Sequence, residues 1–465
     1  MRKLVLALGS VLSLLCLFSI QLDSAAVAKA SESGSSGYRE LPQSNLYKKS
    51  PSYISLQELV DDTPAYGQLT LEAGDYSGPV TITKPMEIIG QGAATTVHIE
   101  AESATIILAS DQITLKDLVI DDKRENPDEP VIVVKQQRDI TLEGLQLKSM
   151  ATAIKGTELQ HSTLTDNTIE WKGKSSAKLS SRGNGIYLFN SSDIAVLGNT
   201  VSGMYDGIYT EGSQRLLIQH NEVRDSRYAY HMMYAEQVEL LDNTSEGNII
   251  GLMIMTSDHI TLQGNKLLKQ QDNANAGGIL IYDVVDATVF NNEVIENRIG
   301  INIERSEAIQ VQHNRLLHNF VALQLQKGEQ IKLENNDFIG NVTNIWDDGS
   351  SKPIIQHNYW DTHQGLDSNG DGYSDLTYAS SPFFLSLIER RPSFQLLFGT
   401  PGISFIEQLY AAQRDQWIAD QSPSMSVHVL ERAGEKRIQW GMLLVWTLLG
   451  AASTYMMLKL RRREQ

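Results

Sequence analysis

Apolar and polar residues alternate along much of the chain between positions 66 and 360. The clearest cases are apolar pairs two residues apart: Ile194 and Val196, Leu216 and Ile218, Val238 and Leu240, Ile260 and Leu262, and Ile309 and Val311. Alternation with a period of two is typical of a β-strand that buries one face, whereas an α-helix repeats about every 3.6 residues. This region is therefore predicted to be all-β.

A series of asparagines sets a fixed repeat length in the same region. Successive members are 22 residues apart, except for intervals of 32 and 27 residues that contain the loop-like segments GKSSAKLSSRG and QQDNANAG. The members are Asn167, Asn199, Asn221, Asn243, Asn265, Asn292, Asn314, Asn336 and Asn358. A constant period is typical of a solenoid, in which each turn buries its apolar face against the next.

The repeat and the alternation together predict a right-handed parallel β-helix of about 22 residues per turn. Its asparagines are expected to stack as a ladder in one corner, because asparagine tolerates left-handed backbone geometry and its amide can bond to its neighbours. Looser alternation upstream, as in LTLEAGDYSGPVTITKPMEIIGQG, predicts the first turns. The β-helix is expected to span residues 66–360, after an N-terminal linker and cap at residues 31–65.

A second series, of glycine and alanine, predicts which residues face outward. Its members are Gly185, Gly207, Ala229, Gly251, Gly278, Gly300 and Ala322. Successive side chains of a strand point to opposite faces, so positions one and three after each member are expected in the core and positions two and four outside it. In two consecutive turns the outward positions hold four residues of interest: His231, Met233, Met253 and Met255.

These four side chains form a candidate copper site. Neighbouring turns lie ~4.8 Å apart and alternate residues of a strand ~6.7 Å apart, so the four are expected to form a compact square. Neutral imidazole and thioether groups, without thiolate, select Cu(I) over zinc, calcium or magnesium. Aromatic residues expected around the square could exclude water or seat a partner: Tyr187, Phe189, Tyr209, Tyr234 and Tyr282. The alternative is an apolar docking patch that uses methionine for its adaptability.

Charge and cysteine content exclude two classes of function. A formal net charge of −17 argues against nucleic acid as a partner, because phosphate groups would be repelled. The single cysteine, Cys16, lies inside an apolar N-terminal run. Disulfides and thiolate metal sites are therefore excluded.

Apolar segments near both ends predict an exported protein with a membrane anchor. Arg2 and Lys3 precede an apolar run and Ala-x-Ala sites, which predicts a signal peptide at residues 1–30. Residues 440–458 carry no charge over 19 positions, which is long enough for a transmembrane helix. The basic tail at 459–465 is expected to stay in the cytoplasm, so the rest of the mature chain lies outside, anchored in the cell membrane. The alternative for 440–458 is a buried core helix.

A C-terminal module at residues 361–439 contains two candidate sites. The run DSNGDGYSD places Asp367, Asn369, Asp371 and Asp375 at positions one, three, five and nine of an EF-hand-like loop, but Tyr378 replaces the usual glutamate at position twelve. The loop is expected either to bind calcium or to be a turn stabilised by Asx hydrogen bonds. Residues 404–420 have helical spacing of apolar residues and are a candidate transporter-docking segment, with a solvated surface helix as the alternative.

Several of these segments resemble the NosD family, exported β-helical proteins that take part in the maturation of nitrous oxide reductase. The resemblance is strongest in GNGIYLFNSS, MYDGIYTEGS, RYAYHMMYAE, GLMIMTSD and HNYWDTHQGLDSNGDGYSDLTY, and the family pattern maps onto His231, Met233, Tyr234, Met255, Ser257 and Asp258. It implies transient handling of copper (Cu+), without catalysis by this chain. It also implies work with the ABC transporter subunits NosF and NosY, the copper chaperone NosL and nitrous oxide reductase NosZ in denitrification.

The main alternative function is that of a polysaccharide-binding or polysaccharide-cleaving β-helix protein. Its outward carboxylates would be Glu211 and Glu304. The two lie four turns apart, well beyond the ~5 to 9.5 Å that paired-carboxylate chemistry needs. The predicted anchor also departs from the resemblance, because many members of the family end as soluble periplasmic proteins.

Overall fold

The computed structural model describes residues 53–101, 105–125, 128–173, 177–271, 273–380 and 418–428, together with Gly402 and Ile406. The chain divides into two compact units, Met1–Ser52 and Tyr53–Gln465, and the described residues all belong to the second. The predicted signal peptide at 1–30, the predicted transmembrane helix at 440–458 and the basic tail at 459–465 lie outside the described residues. Among the residues that are described, no helix has the length and apolar character needed to cross a membrane.

The described chain is almost entirely built from short β-strands. The first turns contain β1 (Ile54–Ser55), helix α1 (Leu56–Asp62), β2 (Gly67–Thr70), β3 (Gly74–Ser77), β4 (Val80–Ile82), β5 (Met86–Ile99), β6 (Ile106–Leu108), β7 (Ile113–Asp122), β8 (Ile132–Lys135), β9 (Thr141–Glu143), β10 (Gln146–Ser149), β11 (Ile154–Thr157), β12 (Gln160–Thr165) and β13 (Thr168–Trp171). A short 3-10 helix follows at Leu179–Ser181.

The central turns each contain two longer strands followed by one short strand. They contain β14 (Ile186–Phe189), β15 (Ser192–Leu197), β16 (Thr200–Ser202), β17 (Asp206–Glu211), β18 (Gln214–Gln219), β19 (Glu222–Arg224), β20 (Tyr228–Met233), β21 (Glu236–Leu241), β22 (Thr244–Glu246), β23 (Ile250–Met255), β24 (Asp258–Gln263), β25 (Lys266–Leu268), β26 (Gly277–Tyr282), β27 (Val285–Phe290) and β28 (Glu293–Ile295). The last turns contain β29 (Ile299–Glu304), β30 (Glu307–Gln312), β31 (Arg315–Leu317), β32 (Val321–Gln326), β33 (Lys332–Glu334), β34 (Asp337–Ile339), β35 (Thr343–Asp347), β36 (Ile354–Gln356) and β37 (Tyr359–Trp360), and an antiparallel pair follows, β38 (Tyr378–Ser380) and β39 (Ile418–Asp420).

From β1 to β37 the strands pair in parallel with their equivalents in neighbouring turns, so the predicted all-β parallel β-helix of about 22 residues per turn is confirmed, with right-handed sense. Within the described residues one sheet holds 12 strands, in the order β35-β32-β29-β26-β23-β20-β17-β14-β11-β8-β6-β4, a second holds 25 strands, and β38 and β39 form a third. Parallel pairing starts at Ile54 and continues to Trp360, so the first turn begins before residue 66. Helix α1 buries Leu56 and Val60 against this first turn.

The core lies inside the turns and is built from the columns predicted for it. Position one of each turn is fully buried, and so is position three: Ile186, Ile208, Tyr230, Leu252, Ile279, Ile301 and Leu323, then Leu188, Thr210, Met232, Ile254, Ile281, Ile303 and Leu325. The glycine column is where turns approach each other closely. A Cβ atom on Gly207 would lie 2.4 Å from the Val223 side chain and 2.7 Å from the Ala229 carbonyl oxygen.

The asparagine series forms the predicted ladder in one buried corner. From Asn167 to Asn336, each Nδ2 donates to the Oδ1 of the next asparagine at 2.9–3.1 Å, and each backbone N–H donates to the same oxygen. All nine asparagines are at most 1% exposed. The ladder ends on Asp420, whose Oδ2 accepts hydrogen bonds from the Asn358 backbone N–H at 3.0 Å and from Asn358 Nδ2 at 3.1 Å.

Candidate metal centre

The four predicted copper ligands lie on two neighbouring strands of the 12-stranded sheet. Strand β20 carries His231 and Met233, and strand β23 carries Met253 and Met255. The two strands pair in parallel, with His231 opposite Met253 and Met233 opposite Met255. The predicted square of backbone positions is therefore present, with sides of ~4.8 and ~6.7 Å.

The square faces away from the core but is less exposed than its outward position suggests. Met232, between His231 and Met233, is 0% exposed and belongs to the core, so its two neighbours point to the opposite face. On that face Met233 and Met255 are half-buried. His231 is only 6% exposed and Met253 only 7%, although Met253 is not part of the core cluster. Two of the four side chains are thus sheltered from solvent.

Aromatic rings cover His231 on two sides. The Tyr209 ring, one turn earlier, stacks on the imidazole with 4.5 Å between ring centroids and an angle of 20°. Tyr228, on the same strand as His231, meets the imidazole edge-on with 5.1 Å between centroids. The prediction that all four side chains are solvent-facing overlooked these contacts, which shield the histidine.

The two nitrogens of His231 have different surroundings. Nδ1 lies 2.9 Å from Oδ2 of Asp206, a carboxylate that also pairs with Arg227 at 2.6 Å. Burial opposes ionisation of the Asp206 carboxyl, but hydrogen bonds from His231 and Arg227 outweigh it and hold the pKa of Asp206 below its ordinary value. Nε2 is also buried, and it has no hydrogen-bond partner in the described part of the chain. A buried imidazole nitrogen without a partner is unusual, because burial of an unsatisfied polar atom costs ~1–3 kcal/mol.

A pair of tyrosines links the square to a carboxylate. Tyr187 and Tyr209 stack with 4.7 Å between centroids, and both hydroxyls donate to Oε2 of Glu211, at 3.0 and 2.8 Å. Burial and the hydrogen bond to Glu211 raise the pKa of Tyr187 to about 12 and also raise that of Tyr209. Both phenols therefore remain hydrogen-bond donors at neutral pH. The Tyr209 hydroxyl also lies 3.9 Å from Sδ of Met233.

The other predicted aromatic residues do not stack on His231. Tyr234 follows Met233 but is 56% exposed. Tyr282 lies one turn after Met255, where its hydroxyl accepts a hydrogen bond from Arg305 at 3.0 Å. Phe189 lies two turns before Met233. Of the predicted shell, only Tyr209 contacts His231 directly, and Tyr187 contacts Tyr209.

The donor set on this face fits a soft metal ion. Among the described residues no group of three or more histidine, cysteine, aspartate or glutamate side chains is placed to hold a metal. An ion in the square would therefore depend on thioether sulfur for most of its ligands, with one imidazole nitrogen. Thioether and neutral imidazole together suit Cu(I), and they bind calcium or magnesium poorly.

Four residues of this region were not identified from the sequence. They are Tyr205, Asp206, Arg227 and Tyr228. Asp206 directly precedes Gly207, and Tyr228 directly precedes Ala229 of the glycine and alanine series. The alternation of strand side chains places residues at this position in the core. The sequence does contain a signal for the ion pair between Asp206 and Arg227. The two residues are 21 positions apart, so they occupy nearly equivalent places in consecutive turns.

The Asp-rich loop is closed by its own hydrogen bonds. The Asp367 carboxylate accepts from the backbone N–H groups of Gly370 at 2.7 Å, Asp371 at 3.2 Å and Gly372 at 2.9 Å. Asn369 Nδ2 donates to Asp371 at 2.9 Å, and Asp375 accepts from the Ser368 N–H, also at 2.9 Å. These contacts are those of the Asx-turn alternative, and calcium binding remains a prediction of the sequence.

Removing calcium is expected to leave the melting temperature of the protein unchanged. The reason is that Asp367 closes the loop through three backbone N–H groups, so no ion is needed to hold it. The measurement is a thermal melt with a calcium chelator and with excess Ca²⁺. A melting temperature that rises with Ca²⁺ in the wild type but not in Asp367→Asn would instead establish a calcium site.

The two carboxylates named for a polysaccharide enzyme lie far apart. Glu211 ends β17 and Glu304 ends β29, and three strands of the 12-stranded sheet separate them. At ~4.8 Å per strand this corresponds to ~19 Å. Glu211 also accepts hydrogen bonds from two tyrosine hydroxyls.

Of the transporter-docking segment predicted at 404–420, only Ile406 and residues 418–420 are described.

Comparisons with known proteins give one family and one fold. Residues 171–375 match the model of a family described as NosD, periplasmic copper-binding protein. The chain is 23% identical over 408 residues to a Stutzerimonas stutzeri protein named a probable ABC transporter binding protein NosD, a match that covers 79% of this chain and 88% of that protein. Among solved structures, a mutant of the periplasmic alginate epimerase AlgG superposes with a TM-score of 0.51 at 15% identity, covering 66% of this chain and 83% of that one. The likeness to the epimerase concerns the fold alone.

Proposed function

Because the chain is a NosD-like protein, we propose that it is an extracytoplasmic accessory protein for maturation of the copper sites of nitrous oxide reductase. In this role it receives or hands on Cu(I) as cargo. The observation that carries the proposal is the buried, unpartnered Nε2 of His231 on the same face as the thioethers of adjacent turns. The family's description as periplasmic and copper-binding supports both the location and the cargo.

The partners follow from the same premise. The name of the Stutzerimonas stutzeri relative supports association with an ABC transporter. We propose that the transporter subunits are NosF and NosY, that NosL delivers copper, and that NosZ receives it. A membrane anchor at residues 440–458 would hold the β-helix close to the transporter.

All four side chains would act as ligands of the ion. His231 would supply one nitrogen through Nε2, and Met233, Met253 and Met255 would supply thioether sulfur. Thioethers bind Cu(I) without having to lose a proton, so uptake and release through sulfur need no base. The half-buried Met233 and Met255 lie toward solvent, and they are the side chains through which an ion would enter and leave.

Replacing Met233 and Met255 together with alanine is expected to weaken Cu(I) binding by roughly 100-fold or more, because two of the four ligands are lost and losing even a supporting residue costs 10–100-fold. The measurement is competition of the purified protein against a Cu(I) chelator of known affinity. Met425→Ala is the matched control, since Met425 is a methionine that is 41% exposed and outside the square. Equal copper uptake by the wild type and the double variant would refute the proposal.

A further inference from the structure

We propose that Asp206 and Arg227 are positioning residues that hold His231 in the Nδ1–H tautomer and leave the lone pair of Nε2 free to bind a metal ion on the face that carries the methionines. This inference rests on the proposed function in one respect, since it takes the square as the metal site. Neither residue is among the predicted ligands. Both act through His231 and would not touch the ion.

The Asp206 carboxylate is shared between the histidine and the arginine. Arg227 binds it in a two-pronged contact, with Nε 2.8 Å from Oδ1 and Nη2 2.6 Å from Oδ2. The same Oδ2 lies 2.9 Å from His231 Nδ1. The Asp206 side chain is 1% exposed, so water cannot substitute for either partner. The carboxylate is thus fixed by the arginine at the point where it meets the imidazole.

Arg227 is itself held in place by aromatic rings. Its guanidinium lies 3.8 Å from the Tyr205 ring centroid and 4.2 Å from that of Tyr228. Tyr228 also meets His231 edge-on, and Tyr209 stacks on a face of the imidazole. Each part of the unit therefore has a neighbour that restricts its rotation.

Proton placement follows from the chemistry of the two nitrogens. A neutral imidazole carries its proton on one nitrogen and a lone pair on the other. An ionised carboxylate has only acceptor oxygens, so a lone pair on Nδ1 would repel Asp206 while an N–H there donates to it. The proton is then on Nδ1, and Nε2 presents its lone pair. Nε2 is the nitrogen that is buried and has no partner among the described residues.

This arrangement explains why an unsatisfied nitrogen is kept in a buried place. Metal-binding histidines in proteins almost always donate their other N–H to a carboxylate, carbonyl or water, which fixes the ring and raises its basicity. Loss of such a partner typically weakens metal affinity 10- to 100-fold. Arg227 neutralises the charge of Asp206, so the carboxylate beside His231 belongs to an ion pair and is not an uncompensated buried charge.

The tautomer can be measured without any metal. Full-length protein labelled with ¹⁵N in histidine is recorded in two-bond ¹H–¹⁵N correlation spectra, and the His231 signals are identified by their loss in His231→Gln. The expected wild-type pattern is that of an Nδ1–H tautomer. In Asp206→Asn, the amide can present its NH₂ group to Nδ1, so the pattern is expected to change to Nε2–H. Arg227→Lys keeps a cation and the carboxylate, and should keep the Nδ1–H tautomer.

Metal affinity provides the second arm, with Ag(I) as a redox-inert probe for Cu(I). Asp206→Asn is expected to weaken Ag(I) binding 10- to 100-fold. Asp193→Asn is the matched control, because Asp193 makes the same two-pronged contact with Arg215 one turn later, at 2.7 and 2.8 Å, in the other sheet. Its Ag(I) affinity should equal that of the wild type.

The outcomes separate this inference from the proposed function. An Nε2–H tautomer in the wild type overturns the positioning role, and so does an Asp206→Asn protein with wild-type affinity for Ag(I). An Nδ1–H tautomer in a wild type that binds no Ag(I) overturns the metal assignment alone, and still supports the positioning of His231 by Asp206.

Discussion

Replacing Asn243 with alanine is expected to lower the free energy of unfolding by about 4 kcal/mol. The asparagine is 1% exposed, and its Oδ1 accepts hydrogen bonds from the Asn221 backbone N–H and from Asn221 Nδ2, both at 3.0 Å. Its own Nδ2 donates to the Ile218 carbonyl oxygen at 2.8 Å. Alanine would remove these three hydrogen bonds and a fourth, from Asn243 Nδ2 to Asn265 Oδ1 at 3.1 Å, at ~1 kcal/mol each. The measurement is chemical denaturation followed by circular dichroism.

The control for this variant lies in the same turn. Glu239 is an exposed residue of strand β21, so Glu239→Ala is expected to change the free energy of unfolding by less than ~0.5 kcal/mol. A loss below ~1 kcal/mol for Asn243→Ala would contradict the expectation. Such a small loss would mean that the ladder adds little to the stability supplied by the apolar core.

The repeat could be predicted from the sequence because a solenoid uses one local rule many times. The asparagine and glycine series gave the length and register of each turn, and the register gave the pairing of His231 with Met253 and of Met233 with Met255. The alternation of side chains along the strand placed Met232 in the core, where it is 0% exposed. These features depend only on strand periodicity and on the stacking of equivalent residues.

The low solvent exposure of the site could not be predicted in the same way. The alternation of side chains along a strand states which face a residue occupies, but the exposure of His231 depends on the rings of Tyr209 and Tyr228. The alternation also fails to predict the face of the first residue of a strand, where the chain leaves a corner. Asp206 begins β17 and would be assigned to the core, yet its carboxylate meets His231 on the other face.

The end of the ladder could not be predicted either, because its last partner is distant in sequence. Asp420 follows Asn358 by 62 residues and belongs to an antiparallel pair of strands that does not follow the repeat. Its Oδ2 accepts three hydrogen bonds, two from Asn358 and one from Trp360 Nε1 at 3.1 Å. Its Oδ1 accepts from the Ser422 backbone N–H at 3.1 Å. A carboxylate here offers only acceptors, which suits a position that faces donors alone.

Replacing Asp420 with alanine is expected to open the end of the β-helix while leaving the central turns intact. The four hydrogen bonds that the carboxylate accepts are lost, at ~1 kcal/mol each and roughly 4 kcal/mol together, and each turn of a solenoid contacts only its neighbours. Hydrogen exchange should therefore speed up at residues 354–360 and 418–424, with no change around Asn243. Asp420→Asn is the control, because its amide oxygen can still accept from Asn358 and should keep most of the protection. Uniform loss of protection along all turns would show that the β-helix unfolds as one cooperative unit, contrary to this expectation.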